Sequence, residues 1–218
     1  MGNAKIKACN EVRNIGAMFD SELSMGPQVK NVCRSAWLHL YNIGKVRSYL
    51  NEEQTKTAVH AYVTSKLDGN SSLLAGIPSV LSSQIQRVQN ASAKLVTKSK
   101  KYDHVTPLLA KLHWLPIKNR IIFKLLLLTY KALNDKGPTY LKDLFTFYKP
   151  SLNLRSSSDP LILIVPKTSL KRFGDKSFSV TAAKEWNKMP FNMRSAKSVN
   201  QFKSLLKTHL FGRNVEHD

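Results

Sequence analysis

The chain has 218 residues, with 34 Lys and Arg against 14 Asp and Glu, a formal net charge of +20 and a pI near 10.1. That length buries a real core as one large or two small domains, and 42% hydrophobic residues with three Trp exclude wholesale disorder. So basic a balance points to a polyanionic partner, or to a piece of a larger protein whose remainder carries the acid; the two readings are compatible. Cys9 and Cys33 alone exclude a disulfide framework and an all-thiolate zinc site, and suit a reducing compartment.

The first residues, MGNAKIKACN, lack the apolar stretch of a signal peptide, and Ile6 stands where a myristoylation signal requires Ser or Thr. The Asn70-Ser71-Ser72 and Asn90-Ala91-Ser92 glycosylation patterns are then chance matches. The longest apolar run, around 121–128, falls well short of the ~20 residues that span a bilayer. A soluble intracellular protein without integral membrane association is expected.

Val12 to Phe19 reads as a strand with Gly16 as a bulge or close approach. From Pro27 the period becomes helical, and Val29, Val32, Cys33, Ala36, Trp37, Leu40 and Ile43 share a face. Asn51 is a good N-cap, followed by Glu52 and Glu53 at the positive end of the helix dipole. Ala58, Val59, Tyr62, Val63 and Leu67 form the apolar face of that second helix. A third helix is expected from Ser79 to Lys98, and Lys98 to Lys101 makes a basic joint between subdomains.

Thr106 is placed to cap a short helix with Pro107 in its first turn. A very apolar helix then runs from Pro116 to Ala132 and stops at the NDKGP sequence of 134–138. A short amphipathic piece, 140–148, precedes a Ser- and Pro-rich loop at 150–160. Leu161 to Val165 reads as a strand that pairs with Leu170 to Phe173. Helices over 178–189 and 198–211 complete the chain, the last with Ser198 as its N-cap. The fold class is therefore mainly α, with an N-terminal strand and a short late β-hairpin near 161–173.

No catalytic constellation emerges. Two-metal polymerases need converging carboxylates, and the chain has no Asp-Asp pair; Glu52 and Glu53 are explained by helix capping. Walker and dinucleotide-binding glycine motifs and a nucleophile elbow are missing. His39, His60, His104, His113, His209 and His217 lack metal-ligand spacing and read as packing, capping or tail residues. No catalytic residue, metal site or cofactor is assigned.

Basic helix faces remain. At ~100° per residue, Arg87, Lys94 and Lys98 fall within an arc of about 40° opposite Leu81, Ile85, Val88, Leu95 and Val96. Lys100 and Lys101 extend the strip, beside Tyr102 as a stacking surface. A solvated helix face is the simpler explanation of one such row. Arg120, Lys124 and Lys131 form a narrow stripe on the otherwise apolar 116–132 helix, where they snorkel to water or meet phosphates. Lys203, Lys207 and Arg213, and separately Arg34 and Lys45, mark further basic faces. Trp37, Trp114, Trp186 and Phe202 fit core periodicity and read as packing.

Several stretches together resemble the thumb and post-thumb region of non-LTR (LINE-type, jockey/CR1-like) retrotransposon reverse transcriptases. They are VRNIGAMFDSELSM (12–25), NVCRSAWLHLYNIGKVRSYL (31–50), AVHAYVTSKLD (58–68), IQRVQNASAKLVTK (85–98), DHVTPLLAKLHWLPIKNRI (103–121), LLLTYKALNDKGPTYLKDL (126–144), NLRSSS (153–158), AAKEWNKMP (182–190) and SVNQFKSLLKTHLF (198–211). The resemblance covers about residues 11–211; its ordered set is specific although no single motif is diagnostic. It implies a palm-edge strand remnant over 1–26, a thumb-like helical segment over 27–101 and a C-terminal helical segment over 102–218. The endonuclease, fingers and catalytic palm are missing, the 69–72 stretch GNSS departs from the family pattern, and no zinc knuckle follows.

The implied activity is RNA or primer–template binding without catalysis, through Arg87, Lys94, Lys98, Lys100, Lys101, Arg120, Lys124 and Lys131. The competing expectation is a protein-interaction or self-association module that uses Val12, Ile15, Met18 and Phe19 where the palm would have packed. Attachment to an acidic membrane surface ranks last.

Overall fold

The computed structural model describes residues 9–149, 160–170 and 174–212. It is mainly helical, with a two-stranded antiparallel sheet near the N-terminus. The described residues form two compact units: unit 1 runs to Asn70 and resumes over Ile77–Leu112, and unit 2 comprises Ser71–Gly76 and the chain from His113 onward. The division thus falls beyond the basic joint at 98–101.

In unit 1 the expected single strand is a hairpin, β1 (Glu11–Asn14) paired with β2 (Ala17–Asp20) in the register Asn14 opposite Ala17. Ile15 and Gly16 turn the chain with φ of 46° and 80°. Two successive positive φ values are the signature of the tight hairpin turn whose twist matches its strands, so Gly16 reverses the chain here instead of bulging it. The hairpin is part of unit 1: Ala17 is buried, and the Met18 N–H donates to Gln28 Oε1 at 2.8 Å.

Asp20 organises the entry to α1 (Gly26–Val46), accepting from the Ser24 and Met25 N–H groups at 3.0 Å each. Burial alone would raise this carboxyl's pKa, but hydrogen bonds from the Ser24 side chain and the Ser24 and Met25 backbones outweigh it and leave it below the usual value.

The buried residues Val29, Cys33, Ala36, Leu40 and Ile43 follow alternating spacings of four and three, a narrow coiled-coil-like seam. Burial raises the pKa of the Cys33 thiol. Asn51 caps α2 (Glu52–Val59) in a full capping box: its Oδ1 accepts from Gln54 N–H, and Gln54 Oε1 accepts from Asn51 N–H.

A π-helical turn over His60–Thr64 then interrupts the helix before α3 (Ser65–Asp68). The slip buries Val63, Thr64 and Leu67 and turns Tyr62 out to solvent, against its expected place on the apolar face. α4 (Ser79–Thr97) packs on α1 and α2 through Ile85, Val88, Gln89, Ser92, Ala93 and Val96. α5 (Thr106–Lys111) packs on α4, and Lys111 pairs with Glu52 at 3.3 Å, which keeps α5 in unit 1. Thr106 lies inside the first turn of α5, and Val105 holds the cap position without a side-chain hydrogen bond.

Unit 2 is built around α6 (Ile117–Leu133), against which α8 (Phe178–Asn187), α10 (Val199–Gly212) and the 3-10 turn Ser71–Leu74 pack. Its core holds Tyr130 and Phe202 stacked at 4.2 Å, with Trp186 6.1 Å from Phe202. Two buried polar side chains bond to backbone carbonyls: Tyr130 Oη donates to Ala196 O at 2.6 Å, and Asn119 Nδ2 donates to Leu210 O at 2.8 Å. Burial raises the Tyr130 pKa.

Ser198 caps α10, its Oγ accepting from Gln201 N–H. Two short helices, α7 (Thr139–Lys142) and α9 (Phe191–Arg194), complete the unit. Around the expected late hairpin, Leu163 bridges Phe147, with hydrogen bonds Tyr148 N–H to Ile162 O and Ile164 N–H to Thr146 O. Asn187 secures that segment by exchanging both hydrogen bonds with Leu163. The anticipated partner residues 171–173 lie outside the described residues.

Candidate nucleic-acid interface

Helices α1 and α4 lie against each other along their buried stripes, and the residues bordering each stripe flank an opening. The seam of α1 uses every third or fourth residue, and Trp37, one position past Ala36, falls at its edge. On α4 the residues bordering the seam include Arg87, Asn90, Ala91 and Lys94. Between them opens a shallow groove of about 720 Å³, lined also by residues of the loop that leads from α4 to α5.

Four of the eight expected phosphate contacts line this groove: Arg87, Lys94, Lys98 and Lys101. Lys98 ends α4 in a left-handed conformation (φ 53°), which bends the chain back. Both Lys98 N–H and Ser99 N–H return to the Lys94 carbonyl. Lys94 Nζ in turn donates to the Lys101 carbonyl oxygen, and Asp103 Oδ2 accepts from the Lys100 N–H at 2.7 Å. These bonds hold the basic loop against the end of α4. Lys101 also lies over the Tyr102 ring, 5.5 Å from its centroid. Lys100 is exposed but does not line the groove.

The groove also contains three residues that sequence reasoning assigned elsewhere or passed over. Trp37, expected in the core, is 45% exposed, while Trp114 and Trp186 are 5% and 1% exposed. Tyr41 follows it on α1 and carries Lys45 Nζ 4.6 Å from its ring centroid. The detectable signal was the spacing of Trp37, Tyr41 and Lys45 at every fourth position, a second row beside the apolar one.

Arg47 is the third, and it is only 8% exposed. Its Nε donates to Leu95 O and its two terminal nitrogens to Val96 O and Leu50 O, at 2.7–2.8 Å. A guanidinium fits here because the last turn of α4 presents carbonyls and the negative end of the helix dipole. No local sequence pattern marks Arg47 for this task. No carboxylate lines the groove, and four of the unit's acids work elsewhere: Glu52 and Glu53 pair with Lys111 and Lys56, and Asp20 and Asp103 hold turns. The charged side chains that line the groove are therefore all basic.

Arg120, Lys124 and Lys131 belong to unit 2 and are half-buried along one stripe of α6. The expected interface set is thus divided between units, and only the unit 1 members share a described groove. Of the residues expected to mediate self-association, Val12 and Ile15 are 51% and 91% exposed, whereas Met18 and Phe19 are half-buried. Lys207 lies 5.9 Å over Phe211, and Arg213 is outside the described residues. Among the described residues, no three His, Cys, Asp or Glu side chains cluster as a metal-ligand set, and no helix is long and apolar enough to cross a membrane. Comparison with known protein families, curated proteins and solved structures finds no match for this chain.

Proposed function

We propose that this chain is a non-catalytic nucleic-acid-binding segment, related to the thumb and post-thumb region of LINE-type reverse transcriptases, and that it binds through the unit 1 groove. The observation that carries the reading is the convergence of Arg87, Lys94, Lys98 and Lys101 on one groove that also exposes Trp37 and Tyr41 and is lined by no carboxylate. Surface lysines scattered for solubility have no reason to share an opening with a half-exposed Trp. Lysine and arginine supply salt-dependent phosphate affinity with little sequence readout, and aromatic faces add sequence-tolerant stacking.

The test is fluorescence anisotropy of the purified protein with an RNA hairpin, a DNA duplex and heparin across a salt series. Preference for a nucleic acid over heparin, with log K falling linearly in log salt, supports a shaped site. The triple variant R87E/K94E/K98E lowers the slope by about 2–3 if each residue neutralises one phosphate, since each contact contributes about 0.9. Unchanged affinity in a variant with an intact circular-dichroism spectrum overturns the assignment.

A second reading rests on the exposure of Val12 and Ile15 on the hairpin. An apolar strand edge left in water is a template for another chain, which makes a protein-interaction module the alternative. Self-association that disappears in V12K/I15K, read by sedimentation velocity, supports it; a monomer at all concentrations sinks it.

A further inference from the structure

We propose that the unit 1 groove is built for single-stranded nucleic acid: an unpaired base stacks on Trp37 while Arg87, Lys94 and Lys98 hold the adjoining phosphates. This deepens the reading above and rests on it. Four observations select an unpaired base over a duplex.

The first is Trp37 itself, 45% exposed, with no other described ring or cation stacked on it. Tyr41, by contrast, already bears Lys45 over one face. An indole is the largest aromatic platform in the side-chain set, and base–aromatic stacking tolerates any sequence because every base has a π-face. Secondly, the lining is not only charged. The half-buried Leu95 and Val105 contribute to it, and a double helix offers sugar and phosphate to its surroundings, leaving such groups in water. An extruded base covers them.

Size is the third. About 720 Å³ of shallow, open groove is room for a nucleoside and its neighbour laid along the surface rather than enclosed in it. The fourth is Asn90. Its Oδ1 accepts from Gln86 Nε2 at 2.7 Å, which orients the amide so that its Nδ2 is the group left to donate to a base carbonyl such as those of uracil. The wall behind these groups is fixed in advance by the three carbonyl bonds of Arg47, so little ordering is required on binding.

The experiment compares the intact protein's affinity for three probes at one salt concentration: a short oligouridylate, the same strand with central abasic sites, and an RNA duplex carrying at least as many phosphates. Wild type, Trp37→Ala and Trp37→Tyr are each titrated, and circular dichroism checks the fold. Stacking predicts that wild type loses about tenfold in affinity when the bases are removed. That loss shrinks to near nothing in Trp37→Ala and is largely restored in Trp37→Tyr. Indole fluorescence of the wild type is quenched by the oligouridylate, and Trp37→Phe, which retains buried Trp114 and Trp186, loses most of that response.

If wild type binds the abasic strand and the duplex as well as the oligouridylate, while R87E/K94E/K98E weakens all three, the groove contacts phosphate only. The base-stacking proposal then falls and the broader reading survives. If no probe binds near physiological salt, both fall. Should Trp37→Ala lose its fold, the abasic-strand comparison in wild type and Trp37→Tyr decides the matter alone.

Discussion

The two units place their tryptophans in opposite ways: Trp37 of unit 1 is half-exposed, and Trp114 and Trp186 of unit 2 are buried. Unit 2 packs Trp186, Tyr130 and Phe202 in one stack, with Trp186 Nε1 donating to Leu161 O at 2.8 Å, while Tyr140, Tyr148 and Phe191 stay exposed. Unit 1 builds its core from Val, Ala, Leu and Ile and leaves Trp37, Tyr41, Tyr62 and Tyr102 at least 45% exposed. The basic residues differ in the same sense. Arg87, Lys94, Lys98 and Lys101 of unit 1 border an open groove, whereas Arg120, Lys124 and Lys131 are half-buried on the helix around which unit 2 is built. Aromatic and basic content alone therefore says little about binding; what decides is whether the seam a helix buries is wide enough to take in its neighbours.

The hardest test of that contrast is a pair of tryptophan truncations. Trp186→Ala removes a fully buried indole and its hydrogen bond and should cost about 3–5 kcal/mol in urea denaturation, while Trp37→Ala should stay within ~0.5 kcal/mol. Equal losses would mean that Trp37 is a core residue after all. Next comes Arg47→Met, which keeps the aliphatic stem and deletes three charge-assisted bonds to carbonyls. A loss of about 3 kcal/mol is expected, since such bonds contribute ~1.5–3 kcal/mol each and the carbonyls partly regain water; no loss would show that the buried guanidinium is not what closes the end of α4.

A smaller effect of opposite sign is expected at the hairpin. Ile15 is a β-branched residue held at positive φ, and Ile15→Asn places the favoured Asn-Gly pair at the turn. A gain of about 1 kcal/mol by denaturant midpoint is expected; a loss would show that the exposed isoleucine makes a contact of its own.

The smallest effect is the contribution of Asp20 to the pH dependence of unit 1. Its folded pKa is depressed, so the stabilisation is fully present above the unfolded value of ~3.9 and is lost as pH falls through the folded value. Comparing acid unfolding of wild type with Asp20→Asn should show a difference that narrows below that range. A difference that grew with acidity would contradict the sign.

How much of this was legible in the sequence depends on whether the signal was local. The capping box of Asn51 and Gln54, the Ser198 cap and the central position of α6 follow from residue type and spacing within a few positions. The π-helical turn at His60–Thr64 could not be read, because it shifts the helical phase without a Pro or Gly to announce it, and Tyr62 was misplaced as a result. Gly16 marked a break but not its kind, since the favoured partner in a tight hairpin turn is Asn and the residue here is Ile15. Arg87 and Lys94 line one groove from α4, but Lys98 lies past the helix end, and Leu95, expected opposite the basic row, lines the groove with them. Their meeting with Trp37 depends on the pairing of α1 with α4, residues far apart in the chain. Arg47 was invisible for the same reason: its acceptors lie 48 and 49 positions downstream.

The path of the chain has a consequence for synthesis. Ser71–Gly76 belongs to unit 2 although unit 1 resumes immediately after it, and within unit 2 the turn Ser71–Leu74 packs on α6, which begins at Ile117. At ~5–20 residues per second, the ribosome delivers Leu74 and Ala75, both buried in the finished protein, a few seconds before their helix exists. During that interval the nascent chain carries an apolar turn whose covering helix has not yet been made. That window is when a chaperone, or a neighbouring nascent chain on the same message, has its best chance to engage it.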